Sequence, residues 1–418
     1  SRKSISMSLF LYRKCLPAEK PSVDEYVRLM STEGASPSEG FIEYVRHKVP
    51  RMFKKGWDLS LYPNAALNSV LSTSSCTQNG RSNGGCRGLV LGQQDGKASW
   101  SDHVSYVTRV LSDSEYNGLG PVRVSAVETG GKWRIISSSD VEMSLLRPLH
   151  CAIYNHLSPR WLLRGEANPA RFSSFTRVIG EEYCSGDYES ATDNLSIDVQ
   201  REILLGILSN CVSVPDHIKR LALESQKVGM TTSKGGRVYQ QRRGQLMGNL
   251  LSFPLLCIVN YLAFRYFGGV SETRNVPVKI NGDDIVFRSS PEVRQRWMDG
   301  VLGSGLKLSR GKTLVNPIYF SLNSRLFVAR GKSVRLVPSV RSTAMGFKKP
   351  DEPIMSIEGR WHRVLKDFPS GSHRRAALEE CFLRINRKYI FASNRSLTRG
   401  LGVHFSYPSL QKCGLWHR

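Results

Sequence analysis

The stretch Lys279-Ile280-Asn281-Gly282-Asp283-Asp284-Ile285-Val286-Phe287 decides the reading of this chain. Two apolar runs flank a Gly-Asp-Asp, which predicts strand, tight turn, strand. Adjacent carboxylates at a hairpin tip repel one another, and the arrangement is costly once water is partly excluded. A hard divalent cation such as Mg²⁺ offsets that cost and keeps coordination sites for phosphate oxygens. Taken alone, the same residues also fit an ordinary Asp-rich turn.

A second acidic segment lies upstream, Ser185-Gly186-Asp187-Tyr188-Glu189-Ser190-Ala191-Thr192-Asp193. A short strand over 183–187 ends on Asp187, and Asp193-Asn194 is expected to cap a helix over 197–211. Asp is common at helix starts, so this segment by itself says little. Paired with the first it says more. Two strand-end carboxylates, Asp187 and Asp283, could meet side by side in one sheet, as two-metal phosphoryl transfer requires.

Between them runs Arg242-Arg243-Gly244-Gln245-Leu246-Met247-Gly248-Asn249-Leu250-Leu251-Ser252-Phe253-Pro254. Gly244 and Gly248 permit close backbone approach and unusual dihedrals. The loop feeds an apolar helix that carries Ser252 and ends near Phe267. Further upstream, 122–127 and 132–137 read as a hairpin turned at Thr129-Gly130-Gly131. Its Arg123, Lys132 and Arg134 alternate with apolar residues. They are either a solvated strand face or cations that neutralise a triphosphate. Downstream, Lys307, Arg310 and Lys312 surround Ser309 and Gly311, and one of them could protonate a departing pyrophosphate.

Composition sets the outer bounds. The chain has 418 residues, with 59 Lys plus Arg against 35 Asp plus Glu, a formal charge of +24. Such an excess points to a polyanionic partner, nucleic acid or an acidic membrane face. With 40% hydrophobic and 22% charged residues the chain is globular, not disordered. The length suits one large subdivided unit or two to three domains. The best apolar run, Leu250 to Phe264, is about 15 residues, short of the roughly 20 a bilayer needs. Met7 to Leu11 is too short for a signal-peptide core. The cysteines are odd in number, scattered from Cys15 to Cys413 and mostly beside apolar residues. They read as reduced core thiols of an intracellular protein. The chain starts at Ser1, which suggests a fragment or processed product. Residues 72–88, rich in Ser, Gly and Asn, read as a solvated loop or a basic loop against a phosphate backbone. Helices are expected over 141–157, from Ser290-Pro291, and over the basic stretch 356–391. Strand-like runs should flank Gly235-Gly236 and the turn at Arg330-Gly331-Lys332. Strands and helices mix without βαβ regularity, which predicts an α+β fold.

The order of these segments resembles the palm of viral RNA-dependent RNA polymerases, most closely the narnavirus-like and ourmiavirus-like (botourmiavirus) group. Residues 121–137 are similar to that family's motif F, 185–194 to motif A, 243–260 to motif B, 279–287 to motif C, 305–313 to motif D and 318–328 to motif E. The resemblance covers about half of the chain. Gly-Asp-Asp alone is unspecific. Preceded in order by Asp-x5-Asp and Gly-Gln-x-Met-Gly-x-x-x-Ser-Phe-Pro, it is highly specific.

The resemblance implies a right-hand polymerase. Residues 1–182 would form an N-terminal region and fingers, with the triphosphate hairpin at 121–137. The palm would span 183–329 on an antiparallel sheet, with a fingers insertion at about 196–240, and a small helical thumb would take 330–418. It implies RNA-directed RNA synthesis by two-metal nucleotidyl transfer with two Mg²⁺ ions, Mn²⁺ being a substitute. Asp187, Asp283 and Asp284 would hold the metals. Asp193 and Ser252 would read the ribose hydroxyls, beside Gly244. Arg123, Lys132 and Arg134 would take the triphosphate. Lys312 is the expected general acid, with Lys307 as the alternative. Many positive-strand relatives carry Asn where Ser252 stands here, and Asn260, about two turns further along the helix, is the weaker candidate for that role. Partners would be single-stranded RNA template, nascent RNA and nucleoside triphosphates, in the host cytoplasm or mitochondria. A reverse transcriptase is the nearest alternative, but those enzymes usually place a bulky aromatic where this chain has Asp193. A basic RNA-binding or capsid protein would explain the charge and not the acidic turns. A metal-dependent nuclease needs neither the glycine loop nor the triphosphate cations.

Overall fold

The computed structural model describes residues 2–12, 15–16, 18–91, 100–129, 132–346, 356–368 and 373–417. The Gly130-Gly131 turn lies outside them. The strands are β1 (Val122–Thr129), β2 (Lys132–Ser138), β3 (Glu182–Gly186), β4 (Gly229–Thr231), β5 (Tyr239–Gln240), β6 (Val278–Asn281), β7 (Asp284–Ser289), β8 (Leu314–Asn316), β9 (Tyr319–Leu322), β10 (Arg325–Arg330) and β11 (Ser333–Leu336). They form three sheets, in the orders β2-β1-β4-β5, β6-β7-β3-β8 and β11-β10-β9.

The middle sheet is antiparallel throughout. Its two faces are buried against different partners. On one face Cys184, Ile285 and Phe287 pack with helix Ser252–Phe267 and Trp297. On the other, Tyr183 and Val286 meet Phe320 and Phe327 of β9 and β10, with Phe172 and Phe175 beside them. Side chains alternate along a strand, so burial on both faces explains why Ile285-Val286-Phe287 is apolar without a break. Helix Ser252–Phe267 follows the same logic. It is buried from Pro254 through Cys257, Asn260 and Arg265, so it is apolar nearly all round.

The β2-β1-β4-β5 sheet joins segments far apart in sequence, since Val122 pairs in parallel with Met230. Helix Val23–Met30 packs Val27 and Met30 against its Val122, Val124 and Met230. The C-terminal residues form helices Ser342–Met345, Ile357–Leu365, His373–Ser393 and Tyr407–Lys412 around Trp361, Phe382, Leu383 and Ile390. Arg325 ties this unit to the sheets. It is 6% exposed and reaches Glu166 at 2.7 Å, Asp367 at 2.6 Å and the Ala167 carbonyl at 2.7 Å.

Several expectations need correction. Asp193-Asn194 does not cap the following helix. Ser190 enters the left-handed region at φ 43°, and 191–194 close a separate turn of helix. The cap of helix Ile197–Leu208 is Ser196, whose Oγ accepts from the Val199 amide. Residues 72–88 are a solvated loop only in part, with short helical turns over 81–90. Cys76, Gly85 and Gly88 are buried, and Thr77 and Gln78 hydrogen-bond to residues 139 and 141. The 356–391 stretch is two helices, not one. The cysteines form no disulfide among the described residues, and Cys76, Cys184, Cys257 and Cys413 are buried as expected, but Cys381 is exposed.

Gly186 marks how tightly the middle sheet is closed. A Cβ there would sit 2.8 Å from both Ile285 and Trp297. Gly186→Ala is therefore expected to destabilise the protein by about 1–3 kcal/mol through overpacking. Urea denaturation checks it, and an unchanged midpoint contradicts it.

Candidate active site

The acidic residues converge because of strand register. β3 and β7 pair with Gly186 opposite Ile285, and β6 and β7 pair with Asn281 opposite Asp284. Continuing the first ladder by one step sets Asp187 across from Asp284, with Asp283 in the adjoining turn. Gly282 makes that turn at φ +67°, and a Cβ on it would press on Phe253 at 3.1 Å.

The turn is pinned from beneath by helix Ser252–Phe267. Asn260 is fully buried, and its Nδ2 donates to the carbonyls of Gly282 at 3.0 Å and Asp283 at 3.4 Å. Its Oδ1 accepts from Tyr188 Oη at 2.8 Å, so one amide joins the segment after β3 to the acidic turn. Cys257 Sγ accepts from the Gly282 amide at 3.2 Å. Burial pushes the Cys257 thiol up to about 12, so it stays neutral. Asn260 is thus a brace and not a nucleotide-reading group. A lone amide in an apolar helix signals a buried partner, but sequence could not say which.

Burial raises the Asp283 carboxyl above its usual range, and the charge of Asp187 adds to the rise, while Arg134 and Lys132 pull it down. Burial, then repulsion by Asp283 and Asp187, pushes Asp284 up to about 6. Asp284 Oδ2 accepts from the Asn323 amide at 3.2 Å, which moors it to the β9–β10 turn. Among the described residues no three acidic, histidine or cysteine side chains stand close enough to enclose a metal ion. The donor chemistry nonetheless fits a hard cation: carboxylate oxygens, partly stripped of water, repelling one another.

The hairpin cations divide. Opposed pairs Arg123–Ser138, Val127–Arg134 and Thr129–Lys132 put Arg123, Lys132 and Arg134 on one face of β1–β2. Lys132 and Arg134 act on Asp283. Arg123 lies at the other end of the ladder, ~14 Å along the strand from the position of Arg134 and ~20 Å from that of Lys132.

Asp193 sits in a second cluster. Its Oδ1 accepts from Tyr26 Oη at 3.3 Å and Thr192 Oγ1 at 3.5 Å. Burial raises its pKa, against these bonds and the charge of Arg243. Arg243 also donates to the Asp193 carbonyl at 3.0 Å and Asn194 Oδ1 at 2.5 Å. Tyr26 comes from helix Val23–Met30, and nothing in the sequence connects it to Asp193. Gly244, at φ +69°, lies so near this turn that a Cβ would be 2.8 Å from the Thr192 carbonyl. Gly248, at φ +143°, faces the Ser137 carbonyl, and Ser137 N–H donates to Met247 O at 2.8 Å. Ser252 begins the apolar helix, half-buried.

On the segment before β8, Ser309 N–H donates to Asp187 O at 2.8 Å. Lys307 is paired with Glu189 at 2.6 Å and Arg310 with Asp299 at 2.9 Å. Lys312 is exposed, with no side-chain partner among the described residues. Of these cations it is the one left available.

Residues 103–329, more than half of the chain, match the family described as mitovirus RNA-dependent RNA polymerase. The chain belongs to that family. Over 181 residues, 39% of its length, it is 32% identical to the RNA-dependent RNA polymerase of Ourmia melon virus (isolate Melon/Iran/VE9). The chain spans about a fifth of that relative, 21%. Its fold is similar to the RNA-dependent RNA polymerase of a human picobirnavirus, with TM-score 0.61, 13% identity and coverage of 99% of this chain and 82% of that one. An insertion-loop deletion mutant of the picobirnavirus enzyme gives TM-score 0.59 at 11% identity, covering 95% and 83%. The fold is thus the α+β right-hand polymerase fold, as the resemblance to ourmiavirus-like enzymes implied.

The raised Asp284 carboxyl has a consequence for pH. The folded state binds its proton more tightly than the unfolded state, so this group destabilises the fold above pH 6 and ceases to do so as pH falls toward 4. In chelator-treated protein Asp284→Asn is expected to raise the melting temperature at pH 7 by roughly a few degrees, with the gain vanishing near pH 4. Calorimetry at the two pH values reads it. A pH-independent effect would assign the gain to packing.

Proposed function

We propose that this chain is the catalytic core of a viral RNA-directed RNA polymerase that copies single-stranded RNA. The observation that carries the reading is the convergence of Asp187, Asp283 and Asp284 at one sheet end, facing Lys132 and Arg134 of the hairpin. Family membership supports it independently.

In this reading Asp187, Asp283 and Asp284 hold two Mg²⁺ ions, with Mn²⁺ as a substitute. When bound, the ions supply Lewis acidity to the attacking 3′-hydroxyl and charge neutralisation at the leaving pyrophosphate. Asp284, moored at Asn323, supports the other two carboxylates. Lys132 and Arg134 bind and orient the triphosphate, and Arg123 meets phosphate further along the same face. Asp193 accepts a hydrogen bond from the ribose 2′-hydroxyl, which a deoxynucleotide cannot donate. Ser252 joins that reading at the helix start, and Gly244 keeps the loop against the Asp193 turn. Tyr26 holds Asp193 in place through Oδ1. Lys312 donates a proton to the departing pyrophosphate.

In hand terms, 1–182 with 196–240 would be fingers, 183–329 palm and 330–418 thumb. The shared β1–β4 pairing supports joining 121–137 to the insertion. The separate core around Trp361 and Phe382 supports a C-terminal thumb. We place the activity in the host cytoplasm or mitochondria. No helix among the described residues is long and apolar enough to cross a membrane.

Template-dependent nucleotide incorporation tests the reading. Asp283→Asn preserves volume and removes a charged ligand. Incorporation should fall by several orders of magnitude in a folded, RNA-binding protein. Equal incorporation by parent and variant would remove the Gly-Asp-Asp turn from the active site.

Asp193→Ala should be milder on rate and harsher on selection, lowering preference for ribo- over deoxyribonucleotides by roughly tenfold, the worth of one hydrogen bond. Tyr26→Phe should move selection the same way, by less. Single-nucleotide kcat/KM ratios decide it. Unchanged ratios in both variants would place the ribose elsewhere.

A further inference from the structure

A strongly cationic recess lies outside the acidic cluster. A cavity of about 760 Å³ opens at the far end of the β6–β7 hairpin, where Val278, Lys279 and Arg288 line it. That is ~15 Å along the strands from the acidic turn. Seven Lys or Arg side chains line it and, among the described residues, no Asp or Glu does. Arg288 is satisfied by Glu181 and Arg265 donates to the Val270 carbonyl. Lys48, Arg160, Arg171 and Arg274 have no ion-pair partner among the described residues, and the three arginines are exposed. These four come from separate segments, so no single helix or loop explains their convergence.

Like charges gathered in a recess are costly unless an anion fills it. Burial lowers the pKa of Lys48 and Lys279, and neighbouring arginines lower both further. The recess also has an aromatic floor. Trp161 and Tyr261 stack at 4.3 Å with 8° between their planes, and Tyr261 is half-buried. Cations that track a phosphate chain beside an aromatic platform are the elements of single-strand binding. A flat or convex basic face would suit a membrane surface better than a recess does.

We propose that this cavity is a second RNA-binding site, which takes a single-stranded segment outside the catalytic cleft through its phosphates. The choice of RNA as ligand rests on the polymerase reading above. The site itself is read by binding, without catalysis, so the two can fail separately.

The test compares the parent chain with Arg160→Ala/Arg171→Ala/Arg274→Ala and with a charge-matched control, Arg46→Ala/Arg201→Ala/Arg296→Ala. Fluorescence anisotropy measures affinity for a labelled 40-nucleotide single strand across a salt series. A short annealed primer–template measures incorporation and reports that the variant is folded. The cavity variant should lose roughly tenfold in affinity at moderate salt, and its salt slope should flatten by about 2, near 0.7 for each phosphate that is no longer neutralised. Its incorporation on the short duplex should match the parent, and the control should keep parental affinity. Parental affinity and slope in the cavity variant would overturn the proposal. So would an equal loss in the control, which would make the effect one of net charge. Loss of binding to phosphatidylserine vesicles with RNA binding intact would overturn it in favour of a membrane surface.

Discussion

Asp283 and Asp284 repel each other across one peptide bond, in surroundings that strip both of water, and Asp187 adds a third charge from the neighbouring strand. Left to itself such a turn would splay toward solvent. What prevents this is packing that cannot yield. Ile285 and Phe287 lock β7 into one core and Val286 into another. Beneath the tip, Asn260 and Cys257 hold the backbone of Gly282 and Asp283. The acidic residues therefore sit at the tip of an element whose remainder is among the most buried of the described residues.

That constraint explains the sequence of the supporting helix. A purely apolar helix would pack against the sheet but leave the carbonyls at the turn, and the Tyr188 hydroxyl, without partners. An unpaired buried polar group costs about 1–3 kcal/mol. Asn260 satisfies both sides with one amide, so the sheet, the turn and the helix form a single unit. Gly186 and Gly282 belong to the same unit. Each stands where a side chain would push neighbouring rings or the adjoining strand away.

The side of the acidic turn toward the β1–β2 hairpin and Asp193 is assembled differently, from segments that only tertiary contacts bring together. Lys132 and Arg134 come near the acidic turn on a hairpin held where Ser137 bonds to Met247 and Gly248 admits the Ser137 carbonyl at close range. Asp193 is held by Tyr26 from a helix near the chain start. This placement depends on close packing at Gly248 and on the Tyr26 phenol, not on any long-range order in the charge pattern.

Much of this is legible in the sequence. The β6–turn–β7 hairpin, the glycine loop feeding an apolar helix and the basic face of β1–β2 follow from local rules of alternation, turn chemistry and periodicity, which act over a few residues. Asp187, Asp193, Asp283 and Asp284 can be named because carboxylates at turns and strand ends stand out in a basic chain. The errors are also local in kind. Asp193 reads as a cap because Asp competes well for that role, while Ser190 bends the chain and hands the cap to Ser196. The Ser-rich stretch 72–88 reads as solvated because its composition is polar, while backbone pairing buries part of it. Tertiary structure alone decides that Asn260 braces the turn, that Tyr26 reaches Asp193, that Arg123 stands apart from Lys132 and Arg134, and that Lys307 is paired while Lys312 is not. Each of these is a meeting of residues distant in sequence or along a strand, and local pattern carries no information about which distant partner satisfies a buried donor or charge.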